Sequence, residues 1–278
     1  MIDLPDQMPS PAVMGVINAT PDSFSDGGLF SAPEQAVAQA RAMVEAGVDW
    51  VDVGGESTRP GAAPVPLQEE LDRVCPVIEA IRAELNVPIS LDTSAPEVMR
   101  AGARLGISML NDVRSLEREG AVAAARQTAL PICIMHRQGE PATMQDRPEY
   151  GDVLEEVVGY LDRRAAELRA EGINGDRLLY DPGFGFGKTL AHNLTLLDNL
   201  EAIVARGWPV LVGMSRKSMV GHVTGRPVEE RMPGSVAAAT MAMMKGAAIV
   251  RVHDVPETVD AARMVRAVRD QGSHWNNG

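Results

Sequence analysis

Apolar residues fall in short runs along the chain: VMGVI (13–17), WVDVG (50–54), VPISL (87–91), ISMLN (107–111), PICIM (131–135), LLYD (178–181), PVLVG (209–213) and AIVRV (248–252). Each run is too short for a helix. None shows the strict apolar–polar alternation of a sheet with one wet face, so each predicts a strand buried on both sides. Between the runs the apolar spacing becomes helical, as in Ala36/Ala40/Met43/Val44 and Val153/Leu154/Val157/Val158/Leu161. Four segments read as helix starts of one design: Ser31-Ala-Pro-Glu34, Ser94-Ala-Pro-Glu97, Asp146-Arg-Pro-Glu149 and Asp254-Val-Pro-Glu257. In each, a Ser or Asp is predicted to accept from the first turn, a Pro sits where no N–H is needed, and a Glu completes a capping box. Strand–helix alternation implies parallel strands joined by right-handed crossovers. Eight such units with no linker-like break predict a single domain over residues 1–278, an α/β fold of the (β/α)8 TIM-barrel type. A doubly wound open sheet is the alternative.

In a barrel of this kind the active site lies at the C-terminal ends of the strands. Polar residues stand at every one of those ends: Asn18, GGESTRPGA (54–62), Asp92, Asn111-Asp112, His136-Arg137, Asp181, Ser215-Arg216-Lys217-Ser218 and Arg251-Val-His253-Asp254.

Composition narrows the partners. The 278 residues are 45% hydrophobic, enough for a sizeable core, and the net charge of -12 argues against nucleic acid or an anionic membrane surface as a partner. No window approaches the ~20 apolar residues of a membrane span. The segment MIDLPDQMPSPAV has neither a basic start nor an apolar run, so a signal peptide is not expected. Cys75 in a helical pattern and Cys133 in an apolar run read as reduced thiols of a cytoplasmic protein, and no Cys/His spacing suits zinc. The 15 methionines read mostly as core filler.

The stretch DPGFGFGKT (181–189) ends like a phosphate-binding P-loop, but the position five before the Gly of Gly-Lys is Pro182. Proline has no N–H to give a phosphate, so the pattern fails. Its glycines instead let backbone lie close to a flat ligand or a neighbouring loop, and Phe186 offers an apolar wall. Asp92, Asn111 and Asp181, from three strand ends, together supply the acceptors and donor that read the amide and amino edge of a flat heterocycle. Taken singly, each also fits a cap on the next helix. Arg59, Lys217, Arg251 and His253 predict an anion site for phosphate or pyrophosphate, with surface salt bridges as the competing reading. Asn18 offers an oxygen ligand for Mg²⁺ beside a diphosphate. His136 alone reads as a packed or capping histidine.

NATPDSFSDGG, GGESTRPGA, SLDTS, NDVRS, DPGFGFGK, GMSRKS and RVHDV occur in this order, from about Val13 to near Arg269. Together they resemble the bacterial dihydropteroate synthase family. The resemblance implies a TIM barrel, usually a homodimer, and a transferase of folate biosynthesis. Its reaction joins 4-aminobenzoate to 6-hydroxymethyl-7,8-dihydropterin diphosphate, giving dihydropteroate and diphosphate. It places Asp92, Asn111, Asp181, Lys217 and Arg251 on the pterin, with Asp92, Asp181, Lys217 and Arg251 as the catalytic set. Asn18 falls at the Mg²⁺–diphosphate site, with Arg59, Arg251 and His253 around the anion. Phe24, Thr58, Pro60, Phe186 and Ser218 fall around the aminobenzoate, and sulfonamides are expected as competitive inhibitors. Arg137 departs from the pattern, which has an uncharged residue there. A methyltetrahydrofolate–corrinoid methyltransferase or a non-catalytic pterin-binding barrel would share the carboxylates. The first has no need of STRPGA or SRKS, and the second none of the anion residues.

Overall fold

The computed structural model describes residues 9–20, 32–57, 65–139, 144 and 148–271. Eight strands alternate with helices: β1 (Ala12–Asn18), α1 (Ala32–Ala46), β2 (Trp50–Gly54), α2 (Leu67–Glu84), β3 (Ile89–Asp92), α3 (Pro96–Arg104), β4 (Met109–Asp112), α4 (Ala121–Arg126), β5 (Ile132–Met135), α5 (Val153–Ala170), β6 (Leu178–Asp181), α6 (Leu190–Asp198), α7 (Leu200–Val204), β7 (Leu211–Val212), α8 (Ser218–Thr224), α9 (Met232–Met244), β8 (Ile249–Val252) and α10 (Val255–Arg269). Every predicted run contains a strand. The strands pair in parallel in the order β6-β5-β4-β3-β2-β1-β8-β7. A parallel bridge from Tyr180 to Val210 joins the two outer strands and closes the ring. Closure excludes the open doubly wound sheet.

Inside the ring, side chains follow the two-residue period of the strands. Ala12, Met14, Trp50, Met109, Cys133, Leu179, Leu211 and Ile249 form one apolar cluster, each at most marginally exposed. Two residues further along their strands come Asp52, Asn111, Asp181 and Arg251. The same face thus changes from apolar to polar within one step of the pleat, and that step is the floor of the site. A larger apolar cluster, including Val13, Ile17, Ile78, Ile81, Val157 and Leu161, packs the outer faces of the strands against the helices. No helix among the described residues is long and apolar enough to cross a membrane.

The helix starts predicted at Ser94 and Asp254 are right in their prolines and wrong in their caps. Proline occupies the first turn of α3 and of α10, with Glu97 and Glu257 beside it. Ser94 does not cap α3: its hydroxyl donates to the Asp112 carboxylate, and Ala95 takes the cap position. Asp254 sits at the start of α10, but its carboxylate accepts from Arg216 and caps nothing. The helix expected after Asp146 starts at Val153, where the Asp152 side chain accepts from the N–H groups of Leu154 and Glu155. Asp146 and Ser31 lie outside the described residues. In the first two cases a partner from the adjacent strand's end outcompetes the local turn for the side chain.

Candidate active site

The polar layer converges on Arg251. Its Nε donates to Asp52 Oδ2 at 2.6 Å, and its Nη2 donates to Asp92 Oδ2 at 3.0 Å. Asn111 Nδ2 faces the same Asp52 carboxylate at 3.3 and 3.4 Å. Register explains the convergence: Met14 pairs with both Trp50 and Arg251, Gly54 pairs with Asp92, and Asp92 pairs with Asn111. Asp52 is fully buried, while Asp92 and Asn111 are nearly so.

On the far side of the mouth, Asp181 Oδ1 accepts from the Gly183 N–H at 2.7 Å. Lys217 extends from the start of α8 across the opening. Its Nζ donates to the Phe184 carbonyl at 2.5 Å and lies 4.6 Å above the centre of the Phe186 ring. The loop between Asp181 and Lys188 packs against the loop after β5. Gly183, with φ of 69°, has no room for a side chain, because a Cβ there would fall 1.9 Å from the His136 carbonyl oxygen. Close approach between loops is therefore the use this structure makes of that glycine.

Charge is expensive here. Burial is the main cause that lifts Asp92 to about 7, with neighbouring Asp52, Asp112 and Glu70 adding to the rise and Arg251 opposing it. Burial also raises Asp181, against the pull of Lys217, the Gly183 N–H, Lys188 and Arg251. Burial lowers Lys217 to about 8, although Asp181 favours its charge. For Arg251 burial opposes the charge, yet Asp52 and Asp92 more than offset it and the guanidinium stays protonated.

The remaining predicted positions are placed as follows. Asn18 ends β1 and is half-buried. Phe186 is buried, and Ser218 is exposed at the first position of α8. His253 is exposed at the rim; its Nδ1 and its backbone N–H both approach Ser215 Oγ at 3.1 Å. Phe24, Thr58, Arg59 and Pro60 lie outside the described residues. Arg137 pairs with Glu117 at 3.3 Å and donates to the Gly139 carbonyl, so its named partners are none of the predicted site positions. Both cysteines are free thiols, as expected. His136 is buried and packed against Tyr150 and Tyr160, as a structural histidine should be.

A family profile described as pterin binding enzyme matches residues 14–253. The chain belongs to the pterin-binding enzyme family. Among its relatives, the dihydropteroate synthase of Escherichia coli strain K12 is 53% identical over 257 residues, 92% of this chain and 91% of that one. The dihydropteroate synthase of Haemophilus influenzae strain Rd is 48% identical, with 92% and 94% covered. Among solved structures, Yersinia pestis dihydropteroate synthase in a sulfonamide drug complex superposes with a TM-score of 0.90 at 50% identity, covering 94% of this chain and 95% of that one. The Xanthomonas albilineans enzyme in complex with 7,8-dihydropteroate superposes with a TM-score of 0.87 at 45% identity, covering 95% of each chain. The resemblance read from the ordered motifs is borne out, and so is the TIM barrel.

Within this pterin-binding frame, sequence reasoning overlooked Asp52. It holds both Arg251 and Asn111, yet it sits inside the run WVDVG and not at its end. The available signal was an acid in the middle of a doubly buried strand, two residues after Trp50. A fully buried carboxylate requires a partner, and Arg251 supplies it from β8, on the other side of β1.

Proposed function

We propose that this chain condenses 6-hydroxymethyl-7,8-dihydropterin diphosphate with 4-aminobenzoate to give 7,8-dihydropteroate and diphosphate. The observation that carries this reading is the set of Asp92, Asn111 and Asp181 around one barrel mouth, with Lys217 and Arg251 between them, in a chain 53% identical to a dihydropteroate synthase. The carboxylates and the carboxamide match the alternating donors and acceptors of a pterin edge. Arg251, flat and held by two carboxylates, offers a face for the ring to stack on. The arylamine nitrogen attacks the exocyclic methylene, the C–O bond to the diphosphate breaks with its electron pair leaving on oxygen, and the nitrogen loses a proton. No covalent nucleophile is required. The dihydropterin is electron-rich and stabilises positive charge on the methylene, and the carboxylates favour that charge over water. His253 at the rim and Arg251, with Arg59 by the resemblance, are the groups proposed to stabilise the departing diphosphate. Phe186 and Ser218 border the aminobenzoate, together with Phe24, Thr58 and Pro60.

Among the described residues no group of three or more His, Cys, Asp or Glu could hold a metal. A carboxamide oxygen such as that of Asn18 is the kind of hard donor that suits Mg²⁺ shared with a substrate's own phosphate oxygens. When bound there, Mg²⁺ would offset charge on the diphosphate. A homodimer is also proposed, on the resemblance and on an apolar strip: Met241 and Met244 of α9 with Met264 and Val268 of α10 are 52–65% exposed on helices that pack together. The free thiols support a cytoplasmic location. Because a relative is known in a sulfonamide complex, sulfonamides should compete with 4-aminobenzoate.

The deciding experiment mixes purified protein, the pterin diphosphate, Mg²⁺ and 4-aminobenzoate and measures diphosphate release and dihydropteroate. Release that does not depend on 4-aminobenzoate, or no release at all, rejects the reading.

A further inference from the structure

Lys188 is the residue that a P-loop would aim at a phosphate, and here it points the other way. It is 3% exposed. Its Nζ lies 2.9 Å from the Gly183 carbonyl, 3.1 Å from the Phe186 carbonyl and 2.9 Å from His136 Nδ1. An ammonium has three protons to donate and accepts nothing. Three acceptors lie within 3.1 Å of it, and the His136 carbonyl is a fourth at 3.4 Å. Burial and the adjacent Lys188 charge hold His136 down at about 3, so the imidazole is neutral and its Nδ1 accepts. Burial also lowers Lys188, to about 7, while Asp181 favours its charge, and the ring of acceptors around Nζ suits the ammonium form.

The two carbonyls belong to the loop that builds one wall of the site. The N–H of Gly183 holds Asp181, the carbonyl of Phe184 holds Lys217, and the Phe186 ring lies under the Lys217 ammonium. One loop is therefore gripped by two lysines from opposite sides, Lys217 across the mouth and Lys188 from behind. The same loop anchors to α6 through Gly185 N–H and Asn193 Oδ1, and to Tyr150 through the Gly187 carbonyl. Those contacts hold the middle and the far end of the loop, Lys217 holds Phe184, and Lys188 draws the Gly183 and Phe186 carbonyls together.

We propose that Lys188 is a positioning residue for the reaction: it gathers the Gly183 and Phe186 carbonyls around one buried ammonium and thereby sets the Phe186 wall and the Asp181 carboxylate against the two substrates. His136 serves as the third acceptor that keeps the ammonium in place. The proposal rests on the condensation described above, so binding is measured separately from turnover.

Lys188→Met keeps the stem and the volume and removes all three donors. The expected result is a KM for 4-aminobenzoate raised at least fivefold and a pterin Kd raised at least threefold by calorimetry, with a smaller fall in kcat. A buried lysine that only stabilises the fold would lower Tm and leave KM and Kd within twofold of the parent, and that outcome overturns the proposal. A parent protein that binds pterin but does not turn over would sink the reaction alone, since the Kd comparison still reads Lys188. If Lys188→Met does not fold, His136 supplies the test. Asn places an oxygen close to the position of Nδ1, whereas Leu places none, and both remove the same ring. His136→Asn should keep KM for 4-aminobenzoate near the parent value while His136→Leu raises it about threefold or more. Equal KM values for the two variants overturn the proposal.

Discussion

Asp92 has to satisfy opposite demands with one carboxyl group. To read a pterin edge it must be an ionised double acceptor, yet burial and nearby acids push it towards the neutral form, to about 7. Lys217, lowered to about 8, is the reverse case. The charged groups facing Asp92 are Arg251, Asp52, Asp112 and Glu70, and those facing Lys217 are Asp181, Arg251 and Asp92. Below about 7 Asp92 takes up a proton and loses acceptors; above about 8 Lys217 loses its charge. Pterin affinity should therefore peak between these values, rising with pH on the acid side and falling on the alkaline side. Calorimetric titration of a pterin ligand from pH 5.5 to 9 checks this, and Asp92→Asn should abolish the acid limb. A flat profile would remove Asp92 ionisation from binding. Asp52 makes a second test. Asp52→Asn keeps the size and takes away the anion that holds Arg251 Nε at 2.6 Å. The guanidinium keeps Asp92, so the loss is partial: a roughly tenfold to hundredfold weaker pterin Kd, about 1.4–2.8 kcal/mol. Unchanged affinity by calorimetry would make Asp52 a bystander.

Elements tell a different story about what sequence can convey. The strands were legible because a run such as LLYD is apolar on both faces and bounded by turn residues, and nothing else in the chain looks like that. Their polar ends were legible for the same reason: Asp181 breaks an otherwise apolar run. Asp52 was not, since it interrupts WVDVG without ending it, and only the register that brings Arg251 beside it reveals why. The caps misread for a related reason. Ser94 and Asp254 have the right local neighbours for a turn, but Asp112 and Arg216 reach them from other elements. Local pattern predicts local structure well until a partner from another element competes for the same atom. The loop after β6 offers an element-level prediction. Gly183→Ala forces a Cβ within 1.9 Å of the His136 carbonyl, whereas Gly207→Ala also has positive φ but meets nothing within 4 Å. Denaturant unfolding should show about 1–2 kcal/mol lost at Gly207 from the left-handed backbone alone. At Gly183 the loss should be larger, about 2–4 kcal/mol, with pterin binding impaired as well. Equal losses would mean the loop has room to yield.

Across the whole molecule, the exposed strip of Met241, Met244, Met264 and Val268 predicts a second copy. Light scattering should give twice the chain mass, and a Met241→Glu/Met264→Glu pair should give a single chain with its circular dichroism unchanged. A parent that runs as a monomer at micromolar concentration would reject the dimer. At the centre, Met14, Trp50, Met109, Leu179, Leu211 and Ile249 fill the barrel below Arg251 and the carboxylates. That packing makes the molecule a blind alley with one door. On the proposed reaction the pterin would sit at the closed end, with Phe186 and Ser218 nearer the street. Traffic in a blind alley has to queue: on the proposed reaction the heterocycle should enter before the arylamine, and a molecule parked in the outer berth should trap whatever stands behind it. The joined product can leave only by backing out whole, past the same threshold its two halves crossed one at a time.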